Sequence, residues 1–167
     1  PRRFGHLEWC ADGNLEASAT LPAVGLDALA DEFTARRLAQ MLAGRSAPVK
    51  AALLDQRRVA GIGNIYACEA MHRAGIPPEA RCGDLRDEQV RRLHRAIRRV
   101  LAEAIAAEGT TIADYVTGAG VPGGFRERLR VYGREGKRCR KRGCAGVIKR
   151  IVQSNRSTFY CPVCQRG

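Results

Sequence analysis

The sequence predicts a mainly α-helical fold with a small β part: a helical bundle followed by a β-hairpin zinc finger. Three observations carry that expectation. Apolar residues recur at helical spacing in several stretches of the first 110 residues. Four cysteines close the chain in two pairs, Cys139 with Cys144 and Cys161 with Cys164, with 16 residues between the pairs. Positive charge gathers at the same end: residues 1–120 carry 16 basic and 15 acidic side chains, whereas residues 121–167 carry 13 and 2.

Taken in order, residues 1–22 read as a linker-like segment with strand-like pieces at Phe4 to Trp9 and Leu15 to Thr20, ended by Pro22. A helical domain is expected over 23–124. Leu26, Leu29, Ala30, Phe33, Leu38 and Met41 have helical spacing, which predicts a helix from Leu26 to Leu42, stopped by Gly44. Ser46 is the expected N-cap of a short helix with Pro48 in its first turn, running through Leu53 and Leu54. A glycine turn, Val59 to Asn64, leads into a helix from Ile65 to Arg73 that Gly75 ends, and Pro77-Pro78 forbids helix beyond it. Asp84 is the expected cap of a long amphipathic helix from about Arg86 to Glu108, with Val90, Leu93, Ile97, Val100, Leu101, Ala104 and Ile105 facing inward. A Gly-rich loop spans Thr110 to Gly124. The zinc finger is expected over 125–167, with strands Val147 to Val152 and Ser157 to Tyr160 around a Ser154-Asn155 turn.

Cysteine usage separates two roles. Thiolates two to four residues apart fit one side of a tight turn, and two such pairs joined by a hairpin make a closed tetrahedral site for one structural Zn²⁺. The remaining Cys10, Cys68 and Cys82 lack ligand spacing and are expected reduced, in or near the core. No signal peptide opens the sequence and no apolar run of spanning length occurs in it, so a reducing, cytoplasmic, nucleoid-associated setting without a membrane is expected.

The formal charge of +12, concentrated beside the cysteines, marks a polyanion partner. Within Gly61-Ile62-Gly63-Asn64, two glycines before a helix start let backbone N–H groups approach a phosphate, and Asn64 can cap the helix and donate an amide hydrogen. Lys50, on the preceding helix, can aim at the same strand of a duplex. At the hairpin tip, Arg156 carries a planar fork that matches two phosphate oxygens.

Three separated motifs then resemble one family. Leu53-Leu54-Asp55-Gln56 with Val59 to Ala67 looks like the helix-two-turns-helix of formamidopyrimidine-DNA glycosylases and endonuclease VIII. Val131-Tyr132-Gly133-Arg134-Glu135-Gly136, the four cysteines and Arg156 to Gln165 look like that family's zinc finger, and Pro1 to Gly5 is similar to its interdomain segment. The first cysteine pair departs from the family's usual C-x2-C, which affects the local turn rather than the metal.

The resemblance implies that Lys50, Asn64 and Arg156 grip phosphates around a damaged nucleotide in double-stranded DNA, at a lesion or an abasic site. Tyr66 falls in the same motif. Arg2 and Phe4 would enter the duplex where the base is flipped out, offsetting lost stacking. The Thr110 to Gly124 loop would lie near that base. The family's reaction starts from an N-terminal Pro-Glu in a β-sandwich domain, and no Pro-Glu-Leu-Pro-Glu segment exists in this sequence. A DNA-binding protein of base-excision repair without efficient catalysis is therefore expected. Two alternatives stand beside it. One is an active glycosylase and abasic-site lyase for oxidised purines, if the chain is a fragment or Pro1 serves as a Schiff-base amine. The other is a zinc-stapled protein-interaction module.

Overall fold

The computed structural model describes residues 23–110 and 124–166. Residues 1–22 and 111–123 lie outside them, and with them the expectations on Pro1, Arg2, Phe4, Cys10, the two N-terminal strands and most of the Gly-rich loop. Four helices form the main body: α1 (Ala35–Leu42), α2 (Val49–Leu54), α3 (Asn64–Ala74) and α4 (Asp87–Ile105). Two residue pairs, β1 (Leu26–Asp27) and β2 (Val59–Ala60), run parallel beside them. The finger contributes an antiparallel hairpin of β3 (Lys149–Gln153) and β4 (Arg156–Tyr160). The mainly helical class with a small β part is as expected; the β1–β2 pair is not.

That pair corrects the expected Leu26–Leu42 helix. Leu26 and Ala28 donate to the carbonyls of Arg58 and Ala60, and the Asp27 carboxylate accepts from the Leu29 N–H at 2.7 Å. A short polar side chain that bonds its own backbone competes with helix, so helix starts only at Ala35, where Thr34 Oγ1 caps the Arg37 N–H. The apolar positions of the stretch are nevertheless core, with Ala28, Phe33 and Leu38 buried. Helical spacing alone did not distinguish a helix from a folded-over strand.

Cap positions also differ. Pro48, not Ser46, occupies the N-cap of α2, which has no side-chain capping bond, and its ring fixes φ where the chain enters the helix. Gly63 is the N-cap of α3, so Asn64 is its first helical residue and its side chain is free to turn elsewhere. Asp84 sits in a 3-10 turn at Cys82–Asp84, and α4 is instead capped through Gln89 Oε1, which accepts from the Arg86 N–H at 2.9 Å. That helix ends at Ile105, three residues short of expectation, as the Gly109 N–H folds back to the Ala104 carbonyl. The inward stripe holds for Val90, Leu93, Ile97, Val100, Leu101 and Ala104; Ile105 is 64% exposed.

The core is built by α3 and α4 packing on each other and on Phe33, Leu38, Leu53, Ile62 and Phe125. A second, smaller cluster joins Val131, Ile148 and Phe159 of the finger region to Cys68 of α3. The finger thus borrows a helix for its core. Cys68 and Cys82 are both buried with unpaired thiols pushed above the usual range by burial, as their expected structural role requires.

Candidate nucleic-acid interface and metal centre

The hairpin turn explains where Arg156 stands. Ser154 and Asn155 both adopt left-handed φ, at 48° and 56°, which is the two-residue type I′ geometry that matches strand twist. Gln153 therefore pairs with Arg156, leaving the Arg156 side chain exposed beside the tip.

Beneath the tip the helix turn and the finger meet at one carbonyl. Lys50 Nζ and Asn64 Nδ2 each donate to Ser157 O at 3.1 Å. Lys50 Nζ also donates to Thr158 Oγ1 at 2.6 Å. Lys50 is 2% exposed, and burial first, then the nearby Arg156 charge, holds its ammonium below the usual lysine range. So Lys50 and Asn64, from two separate places in the sequence, converge on the residue that follows Arg156. The side chain of Tyr66 does not join them. Its ring packs edge-on against Phe125, and its hydroxyl lies 3.1 Å from Thr110 Oγ1, where the Gly-rich loop begins.

The four cysteines come together as spaced. Their sulfurs lie within 4.8 Å of one another, with Cys144 and Cys161 3.6 Å apart and Cys139 and Cys164 3.9 Å apart. A tetrahedron with Zn–S bonds of about 2.3 Å has edges of about 3.8 Å, so the cluster fits one Zn²⁺ held by four thiolates. The longer first loop is accommodated by Gly143, left-handed at φ 75°, and by the Cys144 N–H closing on the Lys141 carbonyl. Two backbone donors aim at sulfur, Lys141 N to Cys139 and Gly146 N to Cys144, both at 3.4 Å. A Cβ on Gly146 would stand 2.5 Å from Cys161 Sγ, so only glycine fits there.

Sequence reasoning missed the residues that lock this finger to α3. Glu69, fully buried, accepts from the backbone N–H groups of Arg130, Val131 and Tyr132 at 2.9–3.0 Å. His72 lies with Nε2 3.4 Å from Cys139 Sγ and 3.5 Å from Cys164 Sγ. Burial, then Arg130, Lys141 and Arg73, pull its pKa down to about 4, so the ring is neutral at pH 7. Its one N–H belongs on Nε2, facing the sulfurs, because Nδ1 has no partner among the described residues. Gln165 Nε2 donates to Ile76 O at 2.7 Å while its Oε1 takes the Cys161 N–H, and Gln153 Nε2 donates to Pro78 O. The available signal was a Glu and a His three apart among Ala67, Cys68, Ala70 and Met71 of the helix, a spacing that puts both on one face.

Comparison with known proteins matches this arrangement. Residues 24–116 match the formamidopyrimidine-DNA glycosylase H2TH domain, and residues 136–167 match the zinc finger found in FPG and IleRS. Formamidopyrimidine-DNA glycosylases of Methylobacterium sp. strain 4-46 and Chelativorans sp. strain BNC1 are 47% and 48% identical over 98% and 99% of this chain. The chain spans 57% and 58% of the length of those relatives. Among solved structures, the MutM (Fpg) protein of Thermus thermophilus is 43% identical, with a TM-score of 0.81 over 86% of this chain and 54% of that one. The Lactococcus lactis Fpg in complex with abasic-site DNA is 33% identical, with a TM-score of 0.79 over 87% of this chain and 52% of its own. Among the described residues no helix is long and apolar enough to cross a membrane. With its central domain, its finger and nearly its whole length matched, the chain belongs to the formamidopyrimidine-DNA glycosylase family of DNA repair proteins.

Proposed function

We propose that these 167 residues dock on double-stranded DNA at lesions or abasic sites, in base-excision repair in the cytoplasm, and do not excise bases efficiently on their own. Arg156 is the exposed phosphate contact. Lys50 adds a buried positive charge directly beneath it, and the N-terminus of α3 with Asn64 adds a partial one. Tyr66 faces the flipped nucleotide from the side of the Gly-rich loop, while Arg2 and Phe4 fill the gap in the duplex. The observation that carries this reading is the shared Ser157 carbonyl: it ties two donors of the helix turn to the residue next to the exposed finger arginine. A base-excising step needs an amine beside a carboxylate, and no Pro-Glu-Leu-Pro-Glu segment occurs in the 167 residues to supply it.

A gel-shift series with lesion-containing, abasic and intact duplexes, read for both retardation and cleavage, tests it. Retardation without cleavage is expected. Arg156→Ala should weaken binding to every sequence and flatten the salt dependence by about one unit of slope. Efficient base excision by the purified chain would overturn the non-catalytic part, and an unchanged slope would remove Arg156 from the phosphate contacts.

A further inference from the structure

A second concentration of cations lies at the other end of α3, nine residues and roughly 13 Å along the helix from Asn64. Among the described residues, a cleft of about 440 Å³ is lined by Arg73, Arg92, Arg95, Arg99 and Arg130 together with Ala96. We propose that this cleft is a second phosphate-binding site, which takes the sugar-phosphate backbone of another stretch of DNA while the finger tip holds the first.

A solvated arginine face explains part of the cleft but not Arg73. That side chain is 7% exposed and is ion-paired on one side to Glu103 at 2.8 Å. Its buried Nε has no hydrogen-bond partner among the described residues. Leaving a charged donor buried and unsatisfied is costly, and an anion in the cleft removes the cost. Among the described residues two carboxylates reach the cluster: Glu103, shared by Arg73 and Arg99, and Glu88, 3.6 Å from Arg95. Five guanidinium groups against two carboxylates leave a net positive cleft.

The spacing favours a polymer over a lone ion. Arg92, Arg95 and Arg99 follow each other at i, i+3 and i+7 on one face of α4, a row about 10 Å long. One DNA strand presents a phosphate about every 3.4 Å along the duplex axis, so the row faces about three of them. Each planar fork can take two phosphate oxygens.

The test uses the full metallated chain at low salt. Calorimetric titration with a 12-base-pair intact duplex should show two binding events in the unaltered protein. Arg95→Glu, at a side chain 69% exposed and therefore safe for folding, should abolish or weaken one event by about ten-fold or more and leave the other unchanged. Arg156→Ala should weaken only the remaining event, so failure of the finger-tip reading and failure of the cleft show up separately. In parallel, arginine Nε–H signals are followed by NMR with tripolyphosphate, which should move the Arg73 signal saturably. One duplex per protein overturns the proposal, as does an Arg73 signal that stays still. So does a cleft that binds tripolyphosphate but no duplex, or one that prefers a poly-glutamate peptide to tripolyphosphate.

Discussion

The helical body and the finger are stabilised in opposite ways, although they share α3. The body buries a continuous apolar core from Ala28 to Leu129, enough to hold α3 against α4 without any ion. The finger has few apolar residues of its own, chiefly Val131, Ile148 and Phe159, and completes their cluster with Cys68 of the helix. Its order therefore rests on four thiols and on polar ties to two helices: from α3, Glu69 on three backbone amides, His72 on two sulfurs and Asn64 on Ser157, and from α2, Lys50 on Ser157. One helix serves as wall of a core on one side and as a rack of polar anchors on the other. That division places the exposed arginine of a small, metal-dependent hairpin against a rigid support.

Removing zinc should break the symmetry most strongly. Chelation, or Cys161→Ser, is expected to cost the finger about 10 kcal/mol of metal-linked folding energy. Amide exchange should then rise throughout 136–166 while the helical circular dichroism of α3 and α4 persists. Collapse of both regions together would mean that the body leans on the finger as much as the finger leans on it.

Leu93→Ala probes the other side. A fully buried leucine of α4 should cost about 3 kcal/mol in denaturant unfolding of the body, with zinc affinity unchanged. A matching loss of zinc affinity would show that the two regions unfold as one.

Glu69→Gln should cost about 2 kcal/mol, because an amide oxygen cannot serve all three backbone donors as the carboxylate does. Exchange should rise first at Arg130 to Tyr132, and unaltered exchange there would remove Glu69 from the docking contacts. His72→Phe keeps the ring volume but deletes the N–H at the sulfurs. Zinc affinity should drop about ten-fold, measured against a chromophoric chelator, with helical stability little changed. Equal affinity would reduce His72 to packing.

Much of this was readable before folding. The ligand set was, because thiolate spacing constrains a turn directly. So was the hairpin, because Ser154-Asn155 admits the left-handed φ that the turn needs. The Gly75 stop and the buried stripe of α4 followed from periodicity. The stretch from Leu26 to Thr34 was misread because its apolar spacing satisfies both a helix and a strand-and-turn, and the choice lay with Val59 and Ala60, far along the chain. Lys50 was expected to grip a phosphate; that its ammonium also donates to Ser157 O and Thr158 Oγ1 had no signal in the local sequence.

By itself the sequence determined which atoms bind metal, where charge accumulates and which faces are apolar, since each depends on residue type and local spacing. The tertiary structure alone decided that Lys50 and Asn64 meet at the Ser157 carbonyl beside Arg156, that Glu69 and His72 clasp the finger, and that five arginines line one cleft. Those arrangements join residues as distant as Lys50 and Ser157, 107 positions apart. No short-range rule encodes them, because they follow from which faces of α3 the surrounding chain is packed against.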